Sequence, residues 1–302
     1  MTHRPSSPGR HLPCHAAVTP AVLLLAAALA SGCSRSSSPA SAAAEPPPPP
    51  IEAELAPASR LVDPRVDDLM RRMSAHLAKA PAFAFEAEEL WDDVPAQSPR
   101  RQVSNRRHVA LRRPDRLVGD ASGDAMNRSF WYDGKTFAAL DKEQLVWASG
   151  DVPASVDGAL DWLRERTGTE IPVADFLYGD PYARMMGQVQ RGVYVGLHDA
   201  AGVPCHHLAF EQATIDWQIW IDAGPQPLPR KLVITYKTED EVPQYSVTIT
   251  SWNLSPRLPD SLFAFTPPQG ATRVDVEAFA PRTTSPSTPP STTPSTNSGG
   301  TR

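Results

Sequence analysis

Residues 217–268 restrict the fold more than any other part of this 302-residue chain. Trp217, Ile219 and Ile221 alternate on one face of a strand while Trp220 stands on the other. Leu232, Ile234 and Tyr236 repeat that period, as do Tyr245, Val247 and Ile249. Gly224-Pro225 and residues 240–243 supply turn chemistry between the runs, so the segment predicts an antiparallel meander, closed by Phe263-Ala264-Phe265-Thr266-Pro267-Pro268-Gln269-Gly270. A sheet so rich in tryptophan must hide its apolar face. It either packs against helices as an ordinary core or bends around a cavity that accepts an apolar guest.

Upstream of the meander the hydrophobic period changes twice. Asp63-Pro64 is a helix start signal with Asp63 as cap, and Val66, Leu69, Met70, Met73 and Leu77 follow at helical spacing until Pro81. Phe83, Phe85, Ala87 and Trp91 then alternate as in a strand, and further strand patterns occupy residues 103–111, 116–121 and 130–140, with a turn at Asp133-Gly134. Residues 156–166 return to helical spacing, carrying Ala159, Leu160 and Leu163 on one side with Gly168 as a stop. Residues 173–178 and 181–186 make shorter turns, the latter capped by Asp180, and strands resume after Val189. One antiparallel sheet interrupted by helices predicts an α+β domain over residues 59–280, with no internal repeat.

The first 33 residues set the compartment. Arg4 and Arg10 precede an apolar run at 21–30, too short for a bilayer that needs ~20 apolar residues, so residues 1–33 read as a secretory signal. Ala30-Ser31-Gly32-Cys33 reads as a bacterial lipobox with Cys33 as the acylated residue; plain secretion after small-residue cleavage is the alternative. Ser34 after Cys33 resembles sorting signals that favour the outer membrane, which places the domain in the cell envelope facing the periplasm. Residues 34–58, with five consecutive prolines at 46–50, predict a stiff tether, and the Ser/Thr/Pro/Gly-rich residues 281–302 a disordered tail.

Charge and motifs exclude several functions. A formal charge of −5 on a secreted chain argues against a nucleic-acid partner. Between Arg100 and Arg116, however, stand seven arginines and one acid, Asp115: either the solvated face of a hairpin or a patch for acidic lipid headgroups. Cys14 leaves with the signal and Cys33 is acylated, so Cys205 alone remains in the folded part and no internal disulfide forms. Cys205 and His207 would share a strand face, but two ligands at that spacing do not make a metal site; we expect neither metal nor cofactor. The chain carries no Gly-x-Ser-x-Gly elbow, His-Glu-x-x-His, phosphate loop or nucleotide fingerprint, and His198, His206 and His207 lack a Ser or Cys partner at any recognisable spacing. No enzyme is expected.

Phe83-Ala84-Phe85 after an amphipathic helix, Arg113-Pro114 ending a strand, Asp133-Gly134-Lys135-Thr136 at a hairpin and Phe263-Ala264-Phe265-Thr266-Pro267-Pro268-Gln269-Gly270 at the end occur in one order. In that order they resemble LolA/LolB-like periplasmic lipoprotein carriers, and the chain is closest to an uncharacterised family of predicted periplasmic proteins within that superfamily. The resemblance implies an incomplete antiparallel β-barrel, a strongly curved sheet with helices covering its concave side, whose hollow takes a lipid or the acyl chains of a lipoprotein. Candidate lining residues are Phe83, Phe85, Trp131, Trp162, Phe176, Met185, Met186, Trp217, Trp220 and Phe265, each of which would look the same as ordinary core. Arg113 matches the arginine that holds the lid shut in the soluble carriers, and its neighbour Arg112 would face the other way. The anchored receptor of the family inserts lipid with a protruding apolar loop, whereas residues 94–100 and 122–128 offer Val94 and Met126 alone. The expectation is a monomeric outer-membrane lipoprotein that binds lipid. A non-catalytic sensor or assembly factor gripping a protein, and a secreted hydrolase, are the rivals.

Overall fold

Asp63 accepts a hydrogen bond from the Arg65 amide at 2.8 Å and Pro64 fills the first turn, so α1 (Pro64–Lys79) starts where the sequence signals it. Its stripe of Val66, Leu69, Met70, Met73 and Leu77 is buried, and Ala80, held extended before Pro81, ends it. The computed structural model describes residues 60–94, 99–124, 126–168, 171–237 and 242–280. The signal, Cys33, the tether and the tail expected from the sequence lie outside them.

The described strands form one unclosed, mainly antiparallel sheet. A short β1 (Leu61–Val62) precedes α1, and after it β2 (Ala82–Asp93), β3 (Arg101–Arg112), β4 (Arg116–Gly123), β5 (Asn127–Tyr132), β6 (Thr136–Asp141) and β7 (Val146–Asp151) form one antiparallel meander. A second follows: β8 (Arg191–Ala200), β9 (Val203–Glu211), β10 (Ile215–Asp222), β11 (Pro229–Tyr236) and β12 (Gln244–Asn253), the last three being the meander expected from the tryptophan-rich segment. β12 returns to pair with β2, which fuses the two meanders. β1 adds to β8 and β13 (Thr272–Arg273) to β7, both parallel, giving the order β1-β8-β9-β10-β11-β12-β2-β3-β4-β5-β6-β7-β13.

This order dictates where the helices go. β7 and β8 lie at opposite ends of the sheet, so the chain between them has to cross a face. It does so as α2 (Val156–Thr167), a 3-10 helix (Pro172–Leu177) and α3 (Pro181–Met186). Ser155 caps α2 by accepting from the Gly158 amide, Gly168 ends it in the left-handed region at φ 64°, and Asp180 caps α3 by accepting from the Ala183 amide. Together with α1 these elements cover one face, here called inner, and share a single apolar cluster with it. Residues 254–271 cross the outer face from β12 to the β7 edge, β13 pairs there, and a 3-10 helix (Val276–Phe279) joins the core beside α2. No helix of the described residues is long and apolar enough to cross a membrane.

Candidate functional site

Strand alternation sorts the candidate residues between two faces. Phe83, Phe85, Phe176, Met185, Met186 and Trp217 are buried in the cluster between sheet and helices. Trp162 joins them from α2, half-buried, its ring 6.2 Å from that of Phe137. Three residues lie on the face of the sheet away from the cover. Trp220 sits one side-chain step from Ile219 and Ile221, so it projects from the outer face, where it stacks on His207 at 3.9 Å. Trp131, next to buried Tyr132, also points outward, and Phe265 packs there against Trp131 and Trp147 at 4.9 and 5.6 Å. The closing string therefore straps the outside of the sheet.

The cover is held to the inner face by soft and by polar contacts. Met70, Met73, Met185 and Met186, four of the chain's six methionines, are buried at this interface. Thioether side chains adapt to changing shapes better than branched ones. At the end of β3, Arg113 reaches inward and donates to the carbonyls of Leu177 and Tyr178 at 3.2 and 3.1 Å, at the close of the 3-10 helix. Among the described residues no carboxylate is hydrogen-bonded to it and its Nε lacks a partner; burial lowers its pKa, a shift that Asp157 opposes. Arg112, one residue earlier, faces outward and binds the strap through the Leu258 carbonyl at 2.7 Å and the Asp260 carboxylate. A single strand end thus holds the inner cover with one arginine and the outer strap with the next.

Other members of the arginine run point in different directions. Arg101 pairs with Asp93 at 2.6 Å, Arg116 with Asp115 at 2.8 Å, and Arg107 points into the core, 8% exposed, with its Nε 2.8 Å from Glu89. Glu89 also accepts from the Tyr245 hydroxyl at 2.6 Å, and burial beside that carboxylate pushes the phenol well above its ordinary pKa. Asn105, paired across from Glu89, is 2% exposed and has no hydrogen-bond partner for its side chain among the described residues. The inner face is therefore greasy under the helices and carries a buried polar band on its long strands β2 and β3.

The side chains named above pack together beneath the cover, and two open clefts lie elsewhere on the domain. One, of about 380 Å³, lies between α1 and residues 222–227, with Arg72, His76, Lys79 and His206 on its walls. The other, of about 320 Å³, is the outer groove formed by Trp131, Trp147, Phe263 and Phe265. Sequence reading also missed a contact between strands. His198 Nδ1 stands 2.9 Å from His207 Nδ1, a partnership that linear spacing within the run Cys205-His206-His207 gave no sign of.

No curated protein matches the chain. Solved structures share the sheet loosely: an uncharacterised conserved protein of Thermus thermophilus has a TM-score of 0.42 at 8% identity, covering 70% of this chain and 99% of that one. The MucA/MucB complex of Pseudomonas aeruginosa gives 0.39 at 13% identity over 67% and 61% of the two chains. A LolA superfamily protein of Nitrosomonas europaea gives 0.33 at 8% identity over 66% and 97%. Likenesses this distant carry no argument about function. Residues 66–277, by contrast, match a whole family profile, and the chain belongs to the family described as "Predicted periplasmic protein (DUF2092)".

Proposed function

We propose that this protein is a non-enzymatic, periplasm-facing binding protein that takes the acyl chain of a lipid or lipoprotein between its inner sheet face and the helical cover. In this reading residues 1–33 are removed or processed as a signal, Cys33 anchors the chain to the outer membrane, residues 34–58 form the tether, residues 281–302 trail as a tail, and the 59–280 domain works as a monomer. The observation that carries it is the Arg113 latch. A guanidinium hydrogen-bonded to two carbonyls gives up little on opening, because water replaces neutral acceptors and no hydrogen-bonded ion pair is broken. Behind the latch lie the four buried methionines, which can repack around a guest. A C16 chain carries ~12 kcal/mol of transfer free energy at ~0.8 kcal/mol per methylene, enough to offset much of the packing given up when the cover shifts.

Native mass spectrometry of the purified protein expressed without its signal tests this directly. Bound lipid, or uptake of a fluorescent fatty acid, is the expected result; an empty mass together with no uptake would remove the proposal.

A second reading rests on one edge. β1 covers Arg191 and Gly192 of β8 and nothing further along, and Val193, Val195 and Leu197 are 41, 45 and 60% exposed. Such an edge suits addition of a strand from a protein partner. Crosslinking in the envelope that returned one dominant protein through β8 would favour it.

A further inference from the structure

β8 and β9 pair in register up to Tyr194↔Leu208, then slip by one residue so that Gly196 faces His207. Tyr194 points inward, its hydroxyl 3.2 Å from His206 Nδ1 on the cover side. Without the slip, side chains two and four residues later would point inward too. The extra residue Val195 reverses that parity and turns His198 to the outer face, diagonal to His207. The bulge is what brings the two imidazoles together.

The His207 ring is fixed on three sides. It stacks on Trp220 at 3.9 Å and 13°, is 8% exposed, and its Nε2 lies 2.9 Å from the Gln218 side-chain carbonyl oxygen. Because that oxygen can only accept, Nε2 carries the proton and Nδ1 carries the lone pair. This is the outer-shell arrangement that aims metal-ligating histidines. His198, exposed on the edge strand, presents its own Nδ1 at 2.9 Å. Two nitrogen bonds of ~2.0–2.1 Å closing on a 2.9 Å separation subtend ~90° at a shared ion. Imidazole nitrogens suit copper(II), which binds such ligands more tightly than the other divalent ions of its row.

We propose that His198 and His207 form a two-histidine site for a divalent ion of the copper(II) type, bound through both Nδ1 atoms. In the metal-free protein His198 Nδ1–H donates to His207 Nδ1. On binding, that proton moves to the solvent-facing Nε2 of His198, leaving two lone pairs for the ion and releasing no net proton. Water fills the other positions, since among the described residues no third His, Cys, Asp or Glu joins the pair. Cys205 shares the face, but its thiol is engaged on its own strand, donating to the Val203 carbonyl at 3.2 Å. Lys231, whose ammonium lies 5.0 Å from the Trp220 ring centre, is the nearby cation that the ion must tolerate.

Copper(II) titration followed by electron paramagnetic resonance tests the site on the whole protein. The double variant His198→Gln/His207→Gln keeps the chain's other histidines, so their uptake cancels in the difference. The expected result is one equivalent with an axial spectrum split by two nitrogens, present in the native protein and lost in the double variant. Gln218→Leu should weaken that equivalent roughly ten-fold, and zinc should bind less tightly than copper. His198→Gln, at an exposed position, serves as the variant that keeps the fold, checked by an unchanged metal-free melting temperature. Identical uptake and spectra in native protein and His198→Gln, or no uptake by either, would overturn the assignment.

Discussion

At the residue scale, two arginines of one hairpin show how burial and partner decide a role that composition leaves open. Arg107 is an internal charge neutralised by Glu89, which Tyr245 also serves as donor. Glu89→Ala should destabilise the protein by ~3–5 kcal/mol, because the guanidinium then stays buried without its counter-charge. Urea unfolding measures this, and a loss under ~1 kcal/mol would show that water reaches the site. Arg113 predicts the opposite pattern: bound to carbonyls only, it should matter more for exchange than for stability. Arg113→Leu is expected to speed release of a bound fluorescent fatty acid severalfold while shifting stability by less than ~1.5 kcal/mol. An unaltered release rate would take the residue out of the mechanism. Neither role could be read from the sequence spacing, which places all seven arginines in one run.

At the element scale, the C-terminal strap has a different task from the one its motif suggested. Phe263 is 1% exposed, with the Arg112 guanidinium over its ring at 5.2 Å, and Phe265 packs on two tryptophans. Phe263→Ala should cost ~3–5 kcal/mol by leaving a cavity on the outer face, seen as a lower urea midpoint. Fatty-acid uptake per folded molecule should stay unchanged, since the guest is placed on the other side. Helix limits were legible because local chemistry sets them: Asp63, Ser155 and Asp180 cap, and Gly168 stops. The β8 bulge was not. No local residue choice announces a register slip, and it is that slip which joins His198 to His207.

At the scale of the whole molecule, one pairing organises the rest. Once β12 returns to β2, β7 and β8 become distant ends, and the segment linking them must lie across a face. The helical cover follows from that connectivity. If a lipid occupies the space beneath it, binding and stability are linked, and fatty acid at 100 times its dissociation constant should add ~2.7 kcal/mol to unfolding. Calorimetry that found no rise in melting temperature at any fatty-acid concentration would count against an inner-face site. The sequence alone determined the α+β class, the caps, the strand periods and the opposition of Trp217 to Trp220, because each depends on residues within a few positions of one another. Tertiary structure alone decided which face the helices took and that Trp131, Trp220 and Phe265 lie outside it. These depend on strand order and register between distant segments, which periodicity within one segment does not encode.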